Sequence, residues 1–191
     1  MHHTPIAAGG SSFDLIDSQK LFAEIELKSG MTFLDVACGF GYYSLAASNY
    51  VGKTGLVYSV DLWKDGIDQL KNQIAERKIS NIQPLLADVT KRIPIKTATV
   101  DVCLLSTVLH DFILEKTDAG VLTEIHRILK PAGKFSVIEF KKIVSHPGPP
   151  IEIRIAPEEV DARVMPYGFS NQKIIEIGQF NYLSLFKKIG E

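Results

Sequence analysis

The sequence predicts an α/β fold: a doubly wound, mostly parallel seven-stranded sheet with helices on both faces, ending in an antiparallel hairpin. Three observations predict it. Apolar strand patterns and amphipathic helix patterns alternate strictly from residue 34 to residue 140, the mark of a parallel sheet with right-handed crossovers. Phe33-Leu34-Asp35-Val36 reads as a strand that leads through Ala37-Cys38-Gly39-Phe40-Gly41 into a helix. Such a turn offers bare backbone N–H groups to a charged ligand at a helix N-terminus. Two apolar runs, 173–177 and 181–186, are separated only by Gly178-Gln179-Phe180, which is too short for a crossover and so dictates a hairpin.

The elements follow in order. Ser18 is placed to cap a short helix whose Leu21, Phe22 and Ile25 share one face, and Gly30 closes that segment. Residues 34–37 form the first strand, apolar on both sides of the pleat and so buried on both faces. Residues 42–50 form the helix after the glycine turn. Gly55 leads into the second strand, 56–60, which ends at Asp61. A helix over 64–78 turns Ile67, Leu70 and Ile74 to the core. The third strand, 82–87, contains Pro84, which cannot donate to a ladder and places this strand at a sheet edge. The fourth strand is 100–106. A helix over 119–129 sets Leu122, Ile125 and Leu129 on one face, and Pro131-Ala132-Gly133 stops it before a fifth strand at 134–140.

Composition narrows the function classes. The chain has 191 residues, 46% of them hydrophobic, and a formal net charge of −1. That describes one folded domain with a sizeable core, and no overall basic field to draw nucleic acid or an anionic membrane. Residues 1–12 read as a flexible lead-in and 13–191 as a single domain. Cys38 and Cys103 lie in or beside apolar strands, so they read as buried free thiols rather than a disulfide framework or metal site. No His, Cys or carboxylate cluster has metal-ligand spacing. With no signal-peptide pattern and no membrane span, a cytoplasmic setting is expected, as monomer or homodimer.

Two acids, Asp35 and Asp61, stand at the ends of two strands beside a glycine turn. Together they suggest a nucleoside cofactor that also carries positive charge. The motifs LDVACGFG, VYSVDLW, LLADVT, LLSTVLHDF and EIHRILKPAGKFSVIEF, with the terminal hairpin, resemble the class I S-adenosylmethionine-dependent methyltransferases. The resemblance is to the small members of the type 11 and ubiquinone/menaquinone-biosynthesis groups. It covers residues 13–188 and implies the strand order 3-2-1-4-5-7-6. Alanine stands at position 37 where the family usually has glycine; one added methyl still permits close approach.

The resemblance implies S-adenosylmethionine as cofactor, S-adenosylhomocysteine as product and a small-molecule acceptor. Asp35 then holds the positively charged methionyl end, the alternative being an acid bonded only to nearby backbone. The backbone at Ala37, Gly39 and Gly41 passes under the methionyl and ribose portions. Asp61 accepts from both ribose hydroxyls, because its two oxygens match a vicinal diol. Leu62 and Trp63 pack on the adenine face, or Trp63 only covers the sheet edge. Asp88 accepts from the adenine amino group while Val89 N–H donates to the ring, or Asp88 caps a turn before Lys91. The backbone near Ser106 meets the amino-acid end.

His110 and Asp111 are the polar candidates beside the acceptor. A histidine there is suited to take a proton from a hydroxyl, amine or thiol, or else it fixes the loop. Residues 144–157 hold Pro147, Pro149, Pro150 and Pro157 and read as a binding loop. Arg154 is a candidate for an acidic substrate, or for a salt bridge with Glu158 or Glu159, and Glu139 is a second candidate on the substrate side. Two other readings stand beside methyl transfer. Gly39-Phe40-Gly41-Tyr42-Tyr43-Ser44 begins like an NAD(P) fingerprint, but Ser44 occupies the third glycine position. A non-catalytic S-adenosylmethionine-binding protein is the other.

Overall fold

A computed structural model describes residues 10–190. The paired histidines His2 and His3, and most of the expected lead-in, lie outside the described residues. The lead-in does not extend to residue 12 as expected, because Ser12 is already packed against the domain, 2% exposed.

Seven strands form one sheet: β1 (Thr32–Val36), β2 (Leu56–Asp61), β3 (Ile82–Leu86), β4 (Val100–Ser106), β5 (Leu129–Phe140), β6 (Phe169–Glu176) and β7 (Asn181–Lys188). Their order is β3-β2-β1-β4-β5-β7-β6, the order the resemblance implied. All pairings are parallel except β5 with β7 and β6 with β7. β3, which contains Pro84, lies at an edge, as a strand lacking one donor must.

Six helices cover the two faces: α1 (Ser18–Glu24), α2 (Tyr42–Val51), α3 (Lys64–Glu76), α4 (Leu109–Leu114), α5 (Asp118–Ile128) and α6 (Pro157–Val164). Alternation along the strands feeds both sides. In β1 and β4, Phe33, Val102 and Leu104 join the core under α1, α2 and α3. Leu34, Val36, Cys103 and Leu105 join the core under α4, α5 and α6. Both cysteines are buried free thiols whose titration burial pushes well up.

Several local expectations change. Asp17, not Ser18, caps α1, accepting from Lys20 N–H at 2.9 Å, because a carboxylate one residue earlier meets the orphan N–H. α5 ends at Ile128, and Leu129 opens β5 rather than closing the helix. The β4–β5 register jumps from Val100/Leu129 to Val102/Lys134, so Pro131-Ala132-Gly133 interrupts a strand already begun. α4 and α6 have no counterpart in the sequence reading. α6 had a legible signal, since Pro157 opens it and the Glu159 carboxylate accepts from Ala156 N–H at 2.8 Å. α4 spans six residues without a side-chain cap and left none.

Candidate active site

The strands deliver the acids. β1 and β2 run side by side with Asp35 beside Ser59 and Val36 beside Val60, so Asp35 and Asp61 emerge at the same end of the sheet. β3 is next, and Ala87 N–H donates to the Asp61 carbonyl at 2.9 Å, which sets Asp88 just beyond that end. Three acids thus stand at the carboxyl ends of three adjacent strands, where open α/β sheets take their ligands.

Asp35 is 1% exposed. Its Oδ2 accepts from Ser44 Oγ at 2.6 Å, and Ser59 Oγ donates to Ser44 Oγ at 2.7 Å. Burial pushes its carboxyl up to about 7; the Ser44 hydrogen bond works against that and the Asp61 charge with it. A buried carboxyl whose only partners are the hydroxyl and backbone of Ser44 has no compensating charge and suits a cation.

Asp61 is buried and doubly held, Oδ2 by Gly39 N–H and Oδ1 by Trp63 N–H, each at 2.8 Å. Burial raises its carboxyl, and these backbone donors oppose the rise. A carboxylate has about four acceptor sites, which leaves room for a diol. The acid therefore also ties the glycine turn to the first turn of α3.

The turn itself is left-handed at three residues: Ala37 (φ +55°), Gly39 (φ +54°) and Gly41 (φ +75°). A Cβ on Gly39 would meet nothing within 4 Å, whereas one on Gly41 would lie 2.6 Å from Leu70 Cδ1. Gly39 thus leaves an open cradle, and Gly41 lets α3 pack close. Trp63 is the N-cap residue of α3 and sets its ring edge-on to Phe40, 4.8 Å between centroids, while Leu62 is exposed beside it.

Asp88 makes the bonds of the turn-capping alternative. Its Oδ1 accepts from Thr90 N–H at 3.0 Å and Thr90 Oγ1 at 2.6 Å, and Oδ2 pairs with Lys91 Nζ at 2.9 Å. Against the upward pull of burial, Lys91 and Thr90 hold its carboxyl below the ordinary range. The Val89 side chain belongs to the core.

The mouth of β4 carries a feature the sequence reading missed. Ser12 Oγ lies 2.8 Å from Tyr43 Oη and 3.0 Å from Ser106 Oγ, and accepts from Thr107 Oγ1 at 3.3 Å. Phe13 follows, edge-on to Tyr43. The N-terminal segment therefore straps across the end of β4, a contact between residues so distant in sequence that no local pattern announces it.

His110, in α4, is 5% exposed, and Glu139, at the end of β5, is 0% exposed. Glu139 Oε2 is 2.8 Å from His110 Nδ1, and Oε1 accepts from the His110 backbone N–H at 3.2 Å. Asp111 Oδ1 is 3.6 Å from Nε2. Burial alone lowers the His110 titration, but the hydrogen bond and charge of Glu139, with Asp111, outweigh it and hold His110 above the usual histidine value. Burial raises Asp111 as well. His110, expected on the catalytic side, and Glu139, expected on the substrate side, are thus hydrogen-bonded to each other, with Asp111 nearby.

Arg154 requires a correction. It meets neither Glu158 nor Glu159 and presents no free fork to a substrate. Its guanidinium donates to the carbonyls of Lys141, Ile143, Ser145, Pro147 and Pro149 and to Ser145 Oγ. Burial among the carbonyls of a proline-rich loop consumes its donors. Glu159 pairs instead with Lys142. Among the described residues no three His, Cys, Asp or Glu side chains gather as a metal site, and no helix is long and apolar enough to cross a membrane.

The glycine turn, the acids at successive strand ends and the inserted antiparallel strand define the fold of a class I S-adenosylmethionine-dependent methyltransferase. A family model described as a methyltransferase domain matches residues 34–137, and the chain belongs to that family, within its type 11 group. It is similar to the demethylmenaquinone methyltransferase of Lactococcus lactis subsp. lactis, 31% identical over 139 residues, 73% of this chain and 52% of the relative. It is also similar to the ubiquinone/menaquinone biosynthesis C-methyltransferase UbiE of Paraburkholderia phymatum, 30% identical over 121 residues, 63% of this chain and 48% of the relative. The chain spans about half the length of these curated relatives.

Among solved structures, a SAM-dependent methyltransferase from Aquifex aeolicus superposes with a TM-score of 0.85 at 26% identity, covering 97% of this chain and 95% of that one. A type 11 methyltransferase from Sulfolobus solfataricus, described as putative, gives 0.76 at 21% identity, over 93% and 95%, and shares the fold. These comparisons give the NAD(P) oxidoreductase reading no support. The residues present fit the family's cofactor: a buried anion for a cation, an open glycine cradle and a carboxylate with acceptor capacity left.

Proposed function

We propose that the protein transfers a methyl group from S-adenosylmethionine to a small, ring-hydroxylated acceptor, with His110 taking the acceptor's proton. One observation carries this. Asp35, Gly39 and Asp61 at the ends of β1 and β2 stand on the same edge of the sheet as the His110–Glu139 pair at β4 and β5. S-adenosylmethionine, when bound, supplies a methyl group already activated by the positive charge on sulfur. The chain's own work is to bind, orient and deprotonate.

In this reading Asp35 faces the cationic methionyl end, with the backbone of Ala37, Gly39 and Gly41 beneath it and that of Ser106 beside it. Asp61 accepts from the ribose hydroxyls. Leu62 and Trp63 flank the adenine, with Asp88 and Val89 at its polar edge. Glu139 holds Nδ1–H of His110, which leaves Nε2 as the basic atom. Alignment of nucleophile and methyl donor contributes on the order of 7–11 kcal/mol to lowering such a barrier. The acceptor class rests on the relatives, whose names refer to menaquinone and ubiquinone biosynthesis. The buried free thiols fit a reducing compartment such as the cytoplasm.

Calorimetric titration with S-adenosylhomocysteine tests the cofactor half, and silence up to millimolar ligand would overturn it. Labelled S-adenosylmethionine with a panel of naphthoquinols and phenols tests the acceptor half. His110→Gln is expected to slow transfer about 10²-fold or more while leaving S-adenosylhomocysteine affinity within about threefold. An equal loss of affinity would remove His110 from the acceptor side.

A further inference from the structure

The segment that crosses the end of β4 is held differently on its two sides. On its C-terminal side the hold is firm. Leu21, Phe22 and Ile25 of α1 are buried in the core. Asp17 N–H donates to Ile177 O at 2.7 Å and Lys20 Nζ to Glu176 O at 2.9 Å, which ties the start of α1 to the end of β6. A Cβ on Gly178 would collide with Leu15 O, so the segment is seated directly on the turn between β6 and β7.

Ahead of Asp17 the hold is mostly polar. Between residues 10 and 17 only Ser12 is buried, and the single turn Phe13–Leu15 buries no residue. The Ser12 hydroxyl meets three others from three separate places: Tyr43 of α2 at 2.8 Å, Ser106 of β4 at 3.0 Å and Thr107 at 3.3 Å. The Phe13 ring stands edge-on to Tyr43, 5.1 Å between centroids, and stacks on Tyr42 at 6.5 Å. Bonds between neutral hydroxyls exchange readily for bonds to water. A segment with one such pin and little apolar burial opens more easily than the core beneath it.

The pin stands at the site itself. Tyr42 and Tyr43 begin α2 directly after Gly41, and Ser106 ends β4, the strand beside β1. Gly39, by contrast, is uncovered, since a Cβ there would meet nothing within 4 Å. The crevice is thus open above Gly39 and roofed at the mouth of β4.

We propose that residues 10–16 are a lid over the amino-acid end of the cofactor, hinged at Asp17 and latched by the Ser12 hydroxyl on Tyr43 and Ser106. The proposal rests on the cofactor half of the reading above. The lid opens to admit S-adenosylmethionine and to release S-adenosylhomocysteine, and its closing keeps water from the reacting groups. The asymmetry of the two sides gives the direction of movement: α1 stays in the core, and the residues before it swing.

The test combines amide hydrogen exchange with stopped-flow ligand release, using S-adenosylhomocysteine and the full chain. Saturating ligand is expected to slow exchange over residues 12–16 by about tenfold or more. Ser12→Ala is expected to speed exchange there about tenfold in the free protein, and ligand release by a similar factor, while residues 32–36 of β1 exchange as in the wild type. Tyr43→Phe loosens the same latch from the other side, so Ser12→Ala combined with Tyr43→Phe should release ligand no faster than Ser12→Ala alone. Effects that multiply would overturn the latch. Should Ser12→Ala fail to fold, the wild type still decides: exchange over residues 12–16 that is indifferent to bound ligand overturns the lid. A release rate unchanged in a folded Ser12→Ala does the same. Calorimetry on the same samples separates the two levels. A wild type that does not bind S-adenosylhomocysteine strikes the methyltransferase reading and the lid with it, whereas an unmoved segment in a chain that binds it strikes only the lid.

Discussion

At the scale of a residue, Ala37 is one of seven non-glycine residues in the left-handed region, and the one that lies in the glycine turn. It replaces the family's usual glycine yet keeps a glycine's backbone, with φ +55°. An L-residue in that region costs about 1–2 kcal/mol, part of which glycine would give back as unfolded-chain entropy. Ala37→Gly is therefore expected to stabilise the fold by about 0.5–1 kcal/mol, read from urea midpoints, with S-adenosylhomocysteine binding retained. Asp35 carries the second residue-level prediction. Its folded value of about 7 lies above the ordinary 3.8, so the native chain keeps a proton that the unfolded chain releases between those pH values. The stability this contributes is whole below pH 4 and drains away as pH climbs through 7. Asp35→Asn should lose less stability than the wild type between pH 5 and pH 8 in paired urea unfolding curves. Equal slopes would show that Asp35 is already ionised. The placement of Asp35 and Asp61 at adjacent strand ends was legible in the sequence because an acid after an apolar run at a strand end is a local pattern. The Glu139 partner of His110 was not, since the two lie 29 positions apart and meet only because β4 and β5 pair. Arg154 was misread for a similar reason: a loop that wraps its own arginine looks, in sequence, like a loop that offers one.

Among the elements, the packing of α3 on the glycine turn sets how firmly the site is held. A Cβ on Gly66, in the first turn of α3, would lie 2.8 Å from Gly39 O and 2.6 Å from Trp63 Cε3. Gly66→Ala is expected to cost about 1–3 kcal/mol as overpacking and to weaken S-adenosylhomocysteine binding together with stability, because the same shift displaces Gly39 and Asp61. Calorimetry and urea unfolding on one preparation check whether the two losses travel together. Long periodic elements such as α3 and β4 were readable to within two residues at each end. The short α4 and the early start of β5 were not, because each is fixed by what it packs against: α4 by the Glu139 grip on His110, and Leu129 by its pairing with Val100.

For the whole molecule, the sheet divides two cores and carries the site along one rim, so ligand binding and global stability are linked. S-adenosylhomocysteine at 100 times its Kd is expected to add about 2.7 kcal/mol to the unfolding free energy. A thermal midpoint that rises with this ligand and not with NADH would agree with the assignment; the reverse order would contradict it. The parallel sheet and its closing hairpin were legible at this scale because strict alternation followed by a short gap admits few arrangements, whereas the strand order came from the family resemblance. What covers the rim was not, since the Ser12 strap returns from the far end of the sequence.

The placement of β7 has a consequence for biosynthesis. It lies between β5 and β6 although it follows both in the chain, so β6 leaves the ribosome with no neighbour to receive it. Only when residues 181–188 have emerged is the gap filled, on both sides at once. The nascent polypeptide therefore waits with an unfinished edge until that final strand arrives, an interval in which a chaperone has most to offer.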